Sequence, residues 1–198
     1  MTYEPIVSRL EPPVPAIVLA AGASRRLGRP KQLVVVEGET LLRRTVRAAL
    51  ATCAPVLVVV GARAREVEAS LAGLPVRVVS NPGWEEGMAS SIRAGVRALP
   101  QGTTAALFLV CDQLAVDRAL VARVLAAGQD HPGAVVACAY GQGLGIPALF
   151  PARCFPQLLA LTGDRGAKAL LDVPGVVAVP FPAGSEDVDS PEDLPTDR

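Results

Sequence analysis

Six short apolar runs recur along the chain, with longer mixed stretches between them. The runs cover residues 16–20, 55–60, 76–80, 105–110, 134–139 and 176–181. They are nearly continuous rather than alternating and are rich in valine, which is typical of strands that are buried on both faces of a sheet. The pattern therefore predicts six buried strands.

Three of the stretches between these runs carry apolar residues at helical spacing. Their apolar stripes are formed by Leu42, Val46, Ala49 and Leu50, by Met88, Ile92, Gly95 or Val96, and Leu99, and by Leu120, Val121, Val124 and Leu125. The third helix is expected to begin after an N-cap at Asp117 and to end at Gly128. Residues 141–172 are less regular, and we expect them to form a lobe over the sheet edge.

Strands alternating with helices at this spacing predict the α/β class, with a three-layer α/β/α arrangement and a mainly parallel sheet. A chain of 198 residues with 51% hydrophobic content is long enough for one core, so we expect a single domain over residues 1–198 with a proline-rich lead-in at 1–14. Such sheets bind ligands beyond the carboxyl ends of their strands. Chemistry is therefore expected in the residues that follow each strand.

Charge and composition exclude some partners. Nineteen basic and nineteen acidic residues cancel, so no overall field draws the protein to nucleic acid or to an anionic membrane. Aromatic residues make up 4% of the chain, too few for the stacking platform of a single-strand binder. No apolar run approaches the roughly 20 residues that span a bilayer, and no apolar signal segment opens the sequence. We expect a cytoplasmic protein that binds neither nucleic acid nor membrane.

The loop after the first predicted strand combines glycine with positive charge. Gly22 and Gly28 let the backbone approach a ligand closely, and successive N–H groups in such a loop can bind phosphate oxygens. Its basic residues are Arg25, Arg26, Arg29 and Lys31. The spacing excludes a Walker A loop and the GxGxxG fingerprint. A solvated basic turn is the alternative, but the position after a buried strand favours a triphosphate site.

The same loop carries a family resemblance. Residues 19–31, LAAGASRRLGRPK, resemble the LAAGxSxRMGxxK opening of the molybdenum cofactor cytidylyltransferases, and the resemblance extends over residues 16–194, with Leu27 in place of the usual methionine. It implies a Rossmann-type fold like that of the nucleotide-diphospho-sugar transferases, with Arg26 and Lys31 as catalytic residues on the β- and γ-phosphates. The nucleotide-binding residues that it implies are Leu19, Ala20, Ala21, Gly22, Ser24, Arg26, Lys31 and Ser91.

Two acidic segments are candidate sites for Mg²⁺ or Mn²⁺. Asp112 follows the strand at residues 105–110, where a carboxylate would face the ligand crevice and could hold a metal ion bridging NTP phosphates. Residues 186–194, EDVDSPEDL, resemble the family segment DIDTPEDL, from which we favour Asp189 as the second ligand, with Asp187 less strongly supported. Helix capping is the alternative at both places.

Further segments concern the base and the acceptor. Residues 87–95, GMASSIRAG, resemble the family's GMAxSLRAG, which implies that Ser91 contacts the nucleobase; helix capping is the alternative role. The doubled alanine at Ala20 and Ala21 favours CTP over GTP by that resemblance. Residues 145–150 and 163–168 resemble acceptor-binding segments, although both could be simple turns. The acceptor residues implied are Gly145, Pro147, Arg165 and Lys168.

The function expected from this resemblance is transfer of CMP from CTP to molybdopterin cofactor, which gives molybdopterin cytosine dinucleotide and pyrophosphate. The acceptor phosphate would attack the α-phosphorus in line, and the product could pass to a molybdoenzyme. One alternative is guanylyl or other nucleotidyl transfer to a related phosphorylated acceptor. Another is a non-catalytic chaperone that binds molybdenum cofactor and delivers it to a partner.

Overall fold

The computed structural model describes residues 13–24, 27–141 and 143–185, together with Asp193. The strands are β1 (Ala16–Ala20), β2 (Val35–Val36), β3 (Glu39–Thr40), β4 (Val56–Val60), β5 (Arg77–Ser80), β6 (Ala105–Val110), β7 (Val136–Tyr140), β8 (Gly143–Pro151) and β9 (Val177–Pro180). The α-helices are α1 (Leu41–Leu50), α2 (Ala64–Ala69), α3 (Met88–Arg97), α4 (Arg118–Asp130) and α5 (Phe155–Leu159). Short 3₁₀ turns lie at Lys31–Leu33, Trp84–Glu86, Ala152–Cys154, Ala167–Leu170 and Pro182–Ser185.

Seven strands form one sheet in the order β5-β4-β1-β6-β8-β7-β9, and β2 pairs with β3 in a separate hairpin. β1 runs parallel to β4 and β6, β4 to β5, and β7 to β9, whereas β8 is antiparallel to both of its neighbours. All six predicted strands are present, but β5 and β9 are partly exposed edge strands, so the prediction of burial on both faces was wrong for these two. The prediction of a mainly parallel sheet is confirmed. The carboxyl ends of β1, β4, β5 and β6 therefore share one edge, where ligands are expected to bind.

The core lies in two layers on opposite faces of the sheet. Successive side chains of a strand point to opposite faces, so β1 places Ala16, Val18 and Ala20 in one layer and Ile17 in the other. Helices α1 and α4 cover the first layer, while α3 and α5 cover the second. The three-layer α/β/α arrangement is thus confirmed. None of the described helices is both long and apolar enough to cross a membrane.

The expected lobe over the sheet edge is wrong for residues 143–151. These residues form β8 in the interior of the sheet, between β6 and β7. The two glycines and two prolines in GLGIPALFP weaken the strand pattern, because both residue types are usually depleted from strand interiors. Burial decides the structure instead: Phe150 is fully buried and packs edge-to-face on Phe108, with ring centroids 5.4 Å apart.

Helix α4 begins as predicted but ends later. The Asp117 carboxylate accepts a hydrogen bond of 2.8 Å from the Leu120 N–H, which confirms the predicted N-cap. The helix continues past Gly128 to Asp130, so the predicted end was wrong. A Cβ atom at Gly128 would overlap the Leu149 side chain. This glycine lets the helix approach β8 closely rather than ending it.

Candidate functional site

A cleft of about 530 Å³ opens at the carboxyl edge of the parallel strands. It lies between the loop after β1, the end of β6, the turn after β5 and the start of α3. Its lining includes eight of the residues predicted to bind nucleotide or metal: Leu19, Ala20, Ala21, Gly22, Ser24, Lys31, Ser91 and Asp112. Arg26, Asp187 and Asp189 lie outside the described residues.

An ion pair in the cleft joins the 3₁₀ turn after the β1 loop to the residue that closely follows β6. The Lys31 Nζ donates to the Asp112 Oδ2 over 2.7 Å, and the two side chains are 18% and 21% exposed. The second carboxylate oxygen, Oδ1, is buried and has no hydrogen-bond partner among the described residues. A buried carboxylate oxygen without a partner is costly. A cation bound at Oδ1 would satisfy it.

The loop after β1 is held by a buried side chain that the sequence analysis missed. Gln32 is 1% exposed, and its Nε2 donates to the carbonyls of Ala20 (2.9 Å) and Gly22 (2.7 Å). The Lys31 N–H donates to the Ser24 hydroxyl over 3.0 Å. These bonds fix the backbone that precedes Lys31. A glutamine next to a candidate phosphate-binding lysine gave no pattern from which this bracing role could be predicted.

The turn between β5 and α3 contains a buried network of neutral hydrogen bonds. Asn81 Nδ2 donates to the hydroxyls of Ser90 (2.8 Å) and Ser91 (3.0 Å), and its Oδ1 accepts from the Gly83 N–H (3.1 Å). The Ser90 hydroxyl donates to the Gly87 carbonyl over 2.8 Å. Asn81, Ser90 and Ser91 are each about 5–6% exposed. The network places Ser91 in the cleft wall, and sequence analysis missed Asn81.

Trp84 forms part of the same wall. The Trp84 Cβ lies so close to Gly61 that a Cβ atom added at Gly61 would stand 2.5 Å from it. The chain has one tryptophan, and it borders the cleft. We therefore expect its fluorescence to change when a ligand binds in the cleft.

The loop after α5 is tied to the start of α3. Arg93 donates to Glu86 Oε2 (2.5 Å) and to the Leu161 carbonyl (2.6 Å). The Gly163 N–H donates to Glu86 Oε1 (3.4 Å), and the Ala89 N–H donates to the Gly163 carbonyl (3.1 Å). The hydrogen bond from Arg93 lowers the pKa of Glu86, and desolvation partly opposes that effect. The contact sets where the next residues of the loop lie.

Of the predicted acceptor loop, a different residue reaches the cleft. Asp164 lines it, whereas Arg165 and Lys168 are exposed side chains outside that lining. Asp164 was not singled out from the sequence because an acidic side chain does not attract an anionic acceptor. Arg165 and Lys168 remain within the same short loop.

Gly145 and Pro147 are buried in β8, near the end of β6 but outside the cleft lining. A Cβ atom at Gly145 would overlap the Tyr140 hydroxyl. That hydroxyl accepts a hydrogen bond from Gln113 Nε2 over 3.4 Å, and Gln113 directly follows Asp112. Gly145 thus leaves room for the Tyr140 hydroxyl, which in turn contacts the residue next to the Asp112 carboxylate.

Cys111, between β6 and Asp112, is buried. Its burial is the main cause that raises its pKa to about 12, and the neighbouring Asp112 charge adds to this. Burial therefore favours the neutral thiol near neutral pH. In the described part of the chain, no three or more His, Cys, Asp or Glu side chains group as a metal site. Mg²⁺ typically needs only one or two carboxylates together with phosphate oxygens and water.

Residues 16–179 match the family described as the MobA-like NTP transferase domain, and the chain belongs to that family. A relative from Paenarthrobacter nicotinovorans, named nicotine blue oxidoreductase, is 34% identical and covers 81% of this chain and 82% of its own length. The molybdenum cofactor cytidylyltransferase of Escherichia coli is 30% identical over 43% of this chain and 45% of its own length. The likeness to nicotine blue oxidoreductase thus spans about four fifths of both chains, whereas the likeness to the cytidylyltransferase spans less than half of each.

A third relative is the bifunctional IPC transferase and DIPP synthase of Rubrobacter xylanophilus, 48% identical over 44% of this chain. The match spans 22% of that longer protein. Among solved structures, a Mycobacterium tuberculosis protein in complex with manganese is 27% identical, with a TM-score of 0.76 over 91% of this chain and 95% of its own. Other structural neighbours confirm the Rossmann-type fold of the nucleotide-diphospho-sugar transferases.

Proposed function

We propose that this member of the MobA-like NTP transferase domain family transfers CMP from CTP to molybdopterin cofactor in the cytoplasm, giving molybdopterin cytosine dinucleotide and pyrophosphate. The observation that carries the proposal is the pairing of Lys31 with Asp112 in the cleft, 2.7 Å apart. The Lys31 ammonium group and the Asp112 carboxylate, whose Oδ1 has no hydrogen-bond partner among the described residues, meet at the sheet edge where a triphosphate would lie. The name of the Escherichia coli relative supports the choice of acceptor and base.

The phosphate half of the reaction needs preorganised positive charge. Lys31, and Arg26 outside the described residues, would bind the β- and γ-phosphates and stabilise the charge that moves onto pyrophosphate. Each such donor contributes about 3 kcal/mol to transition-state stabilisation. The acceptor phosphate is already an anion, so binding and in-line positioning replace a covalent nucleophile.

A divalent metal ion fits the arrangement at Asp112. Its Oδ1 is buried and unpartnered, and carboxylate oxygens are the ligands that Mg²⁺ and Mn²⁺ prefer. Asp189 is proposed as the second ligand. When bound there, the ion would supply charge neutralisation across the phosphates. The manganese complex of the Mycobacterium tuberculosis protein supports divalent metal use.

The base and the acceptor would both occupy the cleft. The base would lie against the backbone of Leu19 to Gly22 and the Ser91 hydroxyl, and Ser24 would contact the phosphates. The acceptor would lie near the loop after α5, from which Asp164 reaches the cleft. Gly145, Pro147, Arg165 and Lys168 are proposed to shape this end, the last two through their charge.

A turnover assay tests the proposal. Purified protein is incubated with Mg²⁺, molybdenum cofactor and either CTP or GTP, and pyrophosphate release is measured. Release that requires both CTP and the cofactor, and that Asp112→Ala abolishes, would support the function. Release that requires the cofactor and occurs with GTP but not with CTP would instead favour guanylyl transfer.

The other relatives motivate a second arm. The Rubrobacter xylanophilus relative is a transferase with a different name, so the acceptor is varied among small phosphorylated compounds at constant CTP. Binding of the cofactor without release of pyrophosphate from any nucleotide would favour the chaperone role, in which the protein hands cofactor to a molybdoenzyme. Transfer to another acceptor would keep the chemistry and overturn molybdopterin as the substrate.

A further inference from the structure

The hydrogen bonds around Asn81 have a fixed direction. The Gly83 N–H can only donate, so the atom that it contacts must be the carboxamide oxygen Oδ1. That assignment turns Nδ2 toward the two serines. An amide nitrogen carries two hydrogens and accepts none, so Asn81 donates one to Ser90 and one to Ser91.

The direction carries through to the serine hydroxyls. Ser90 accepts from Asn81 and passes its own hydrogen to the Gly87 carbonyl. Ser91 also accepts from Asn81, but its hydroxyl hydrogen has no acceptor among the described residues. Ser91 lines the cleft. Its hydrogen is therefore available to a ligand.

We propose that Asn81 is a positioning residue that fixes Ser91 as a hydrogen-bond donor, and that the cleft thereby selects a nucleobase with an acceptor at that point. This deepens the proposed function and rests on it. Cytosine presents an unprotonated ring nitrogen, N3, on its Watson–Crick edge, whereas uracil has N3–H there and guanine has N1–H. A hydroxyl that only donates matches cytosine and opposes the other two.

The size of the effect follows from the cost of a mismatch. A buried donor that faces another donor leaves both unpaired, which costs on the order of tenfold or more in affinity. Uracil is the sharpest comparison, because CTP and UTP share their ring size, sugar and triphosphate. The ratio of their dissociation constants therefore cancels phosphate binding and reports on the N3 and C4 positions of the base, and the change of that ratio in the Asn81 and Ser91 variants assigns the part due to this contact.

The central variant is Asn81→Asp, which keeps the shape but reverses the polarity. A carboxylate accepts from both serine hydroxyls, so Ser91 would then present lone pairs to the cleft. Binding of CTP and UTP is measured by quenching of Trp84 fluorescence in the full chain. We expect wild type to prefer CTP by roughly tenfold and the variant to lose or invert that preference.

Two serine variants serve as matched tests. Ser91→Ala removes the donor and should bring the ratio close to one. Ser90→Ala removes the other branch of the network but leaves Asn81 donating to Ser91, so the ratio should stay at its wild-type value. A loss of preference in Ser90→Ala equal to that in Ser91→Ala would show that the network acts only through packing and would overturn the proposal.

Buried charge could prevent Asn81→Asp from folding, which circular dichroism would reveal. Asn81→Ser, a neutral change, then replaces it: without the fixed amide, Ser91 can donate or accept, and the preference should fall toward one. An unchanged ratio in either folded Asn81 variant, or equal binding of CTP and UTP by wild type, overturns the inference alone. Absence of nucleotide binding by wild type overturns the proposed function as well, while selective binding without turnover overturns only the transfer reaction.

Discussion

The two sides of the cleft differ in the kind of polar contact that they contain. The charged side consists of Lys31, which follows the loop after β1, and Asp112, which follows β6, joined by an ion pair. The neutral side consists of Asn81, Ser90 and Ser91, joined by hydrogen bonds after β5. Both are largely shielded from solvent, and both stand at the carboxyl edge of the same sheet.

The difference indicates a division of work. Charge attraction is strong and weakly directional, which suits a flexible polyanion and a metal ion. A neutral network is weaker but has a defined donor and acceptor at each atom, which suits discrimination between bases of similar shape. We therefore expect changes on the charged side to reduce rate, and changes on the neutral side to alter preference.

The largest effect expected is from Lys31→Met, which tests whether the charged side controls rate. The change keeps the length of the side-chain stem and removes the ammonium group, and we expect kcat to fall about 10²- to 10³-fold. The ratio of CTP to UTP affinity should stay near its wild-type value. Steady-state pyrophosphate release and Trp84 quenching measure the two quantities.

The matched control is Arg65→Met, an exposed cation on α2 away from the cleft. It removes the same charge from the protein as a whole, so any general effect of net charge would appear in both variants. Retention of most turnover by Lys31→Met would remove the lysine from the catalytic assignment and break the comparison on its charged side.

Sequence alone predicted the charged side well because its signals are local. A strand rich in valine ends at a glycine loop with Lys31, and another ends at Asp112. In a parallel sheet such ends meet at one edge, so the two residues were expected to converge. The same reasoning predicted the three layers and the six strands with regular apolar runs.

The neutral side and β8 were harder to predict. Asn81 is a single polar residue after a strand, typical of any turn, and its role depends on which hydroxyls the fold brings to its amide. β8 is broken by glycine and proline, so its place in the sheet comes from burial against β6 and β7 rather than from local propensity. Tertiary contacts, which one sequence does not display, decided both.

A smaller effect is expected from Gln32→Met, in which a neutral residue supports the charged side. Gln32 donates to the carbonyls of Ala20 and Gly22, and methionine of similar size would leave both without this donor. We expect a loss of about 1–3 kcal/mol in the free energy of unfolding and a raised KM for the nucleotide. Urea denaturation and steady-state kinetics measure these changes.

Gln157→Met is the control for Gln32→Met, because Gln157 is an exposed glutamine on α5. It should change neither the urea midpoint nor the KM for the nucleotide. Loss of stability without any change in KM would show that Gln32 stabilises the fold but does not position the loop after β1 for nucleotide binding. The charged side would then need no neutral support.

The smallest effect is expected from Glu86→Gln, which loosens the tie between α3 and the loop that carries Asp164. Arg93 lowers the pKa of Glu86 from its ordinary value of 4.5, so the contribution of the carboxylate to stability is complete above that value and is lost as the pH falls through the lowered pKa. The urea midpoint of the variant should therefore lie slightly below that of wild type at neutral pH, and the difference should close below about pH 4.5. The KM for the acceptor should rise about twofold, since the pair is partly exposed.

Glu68→Gln, at an exposed site on α2, should show neither change. A difference in urea midpoint that persisted in acid would mean that the contact between Glu86 and Arg93 depends on shape rather than on charge. This contact would then behave like those on the neutral side of the cleft.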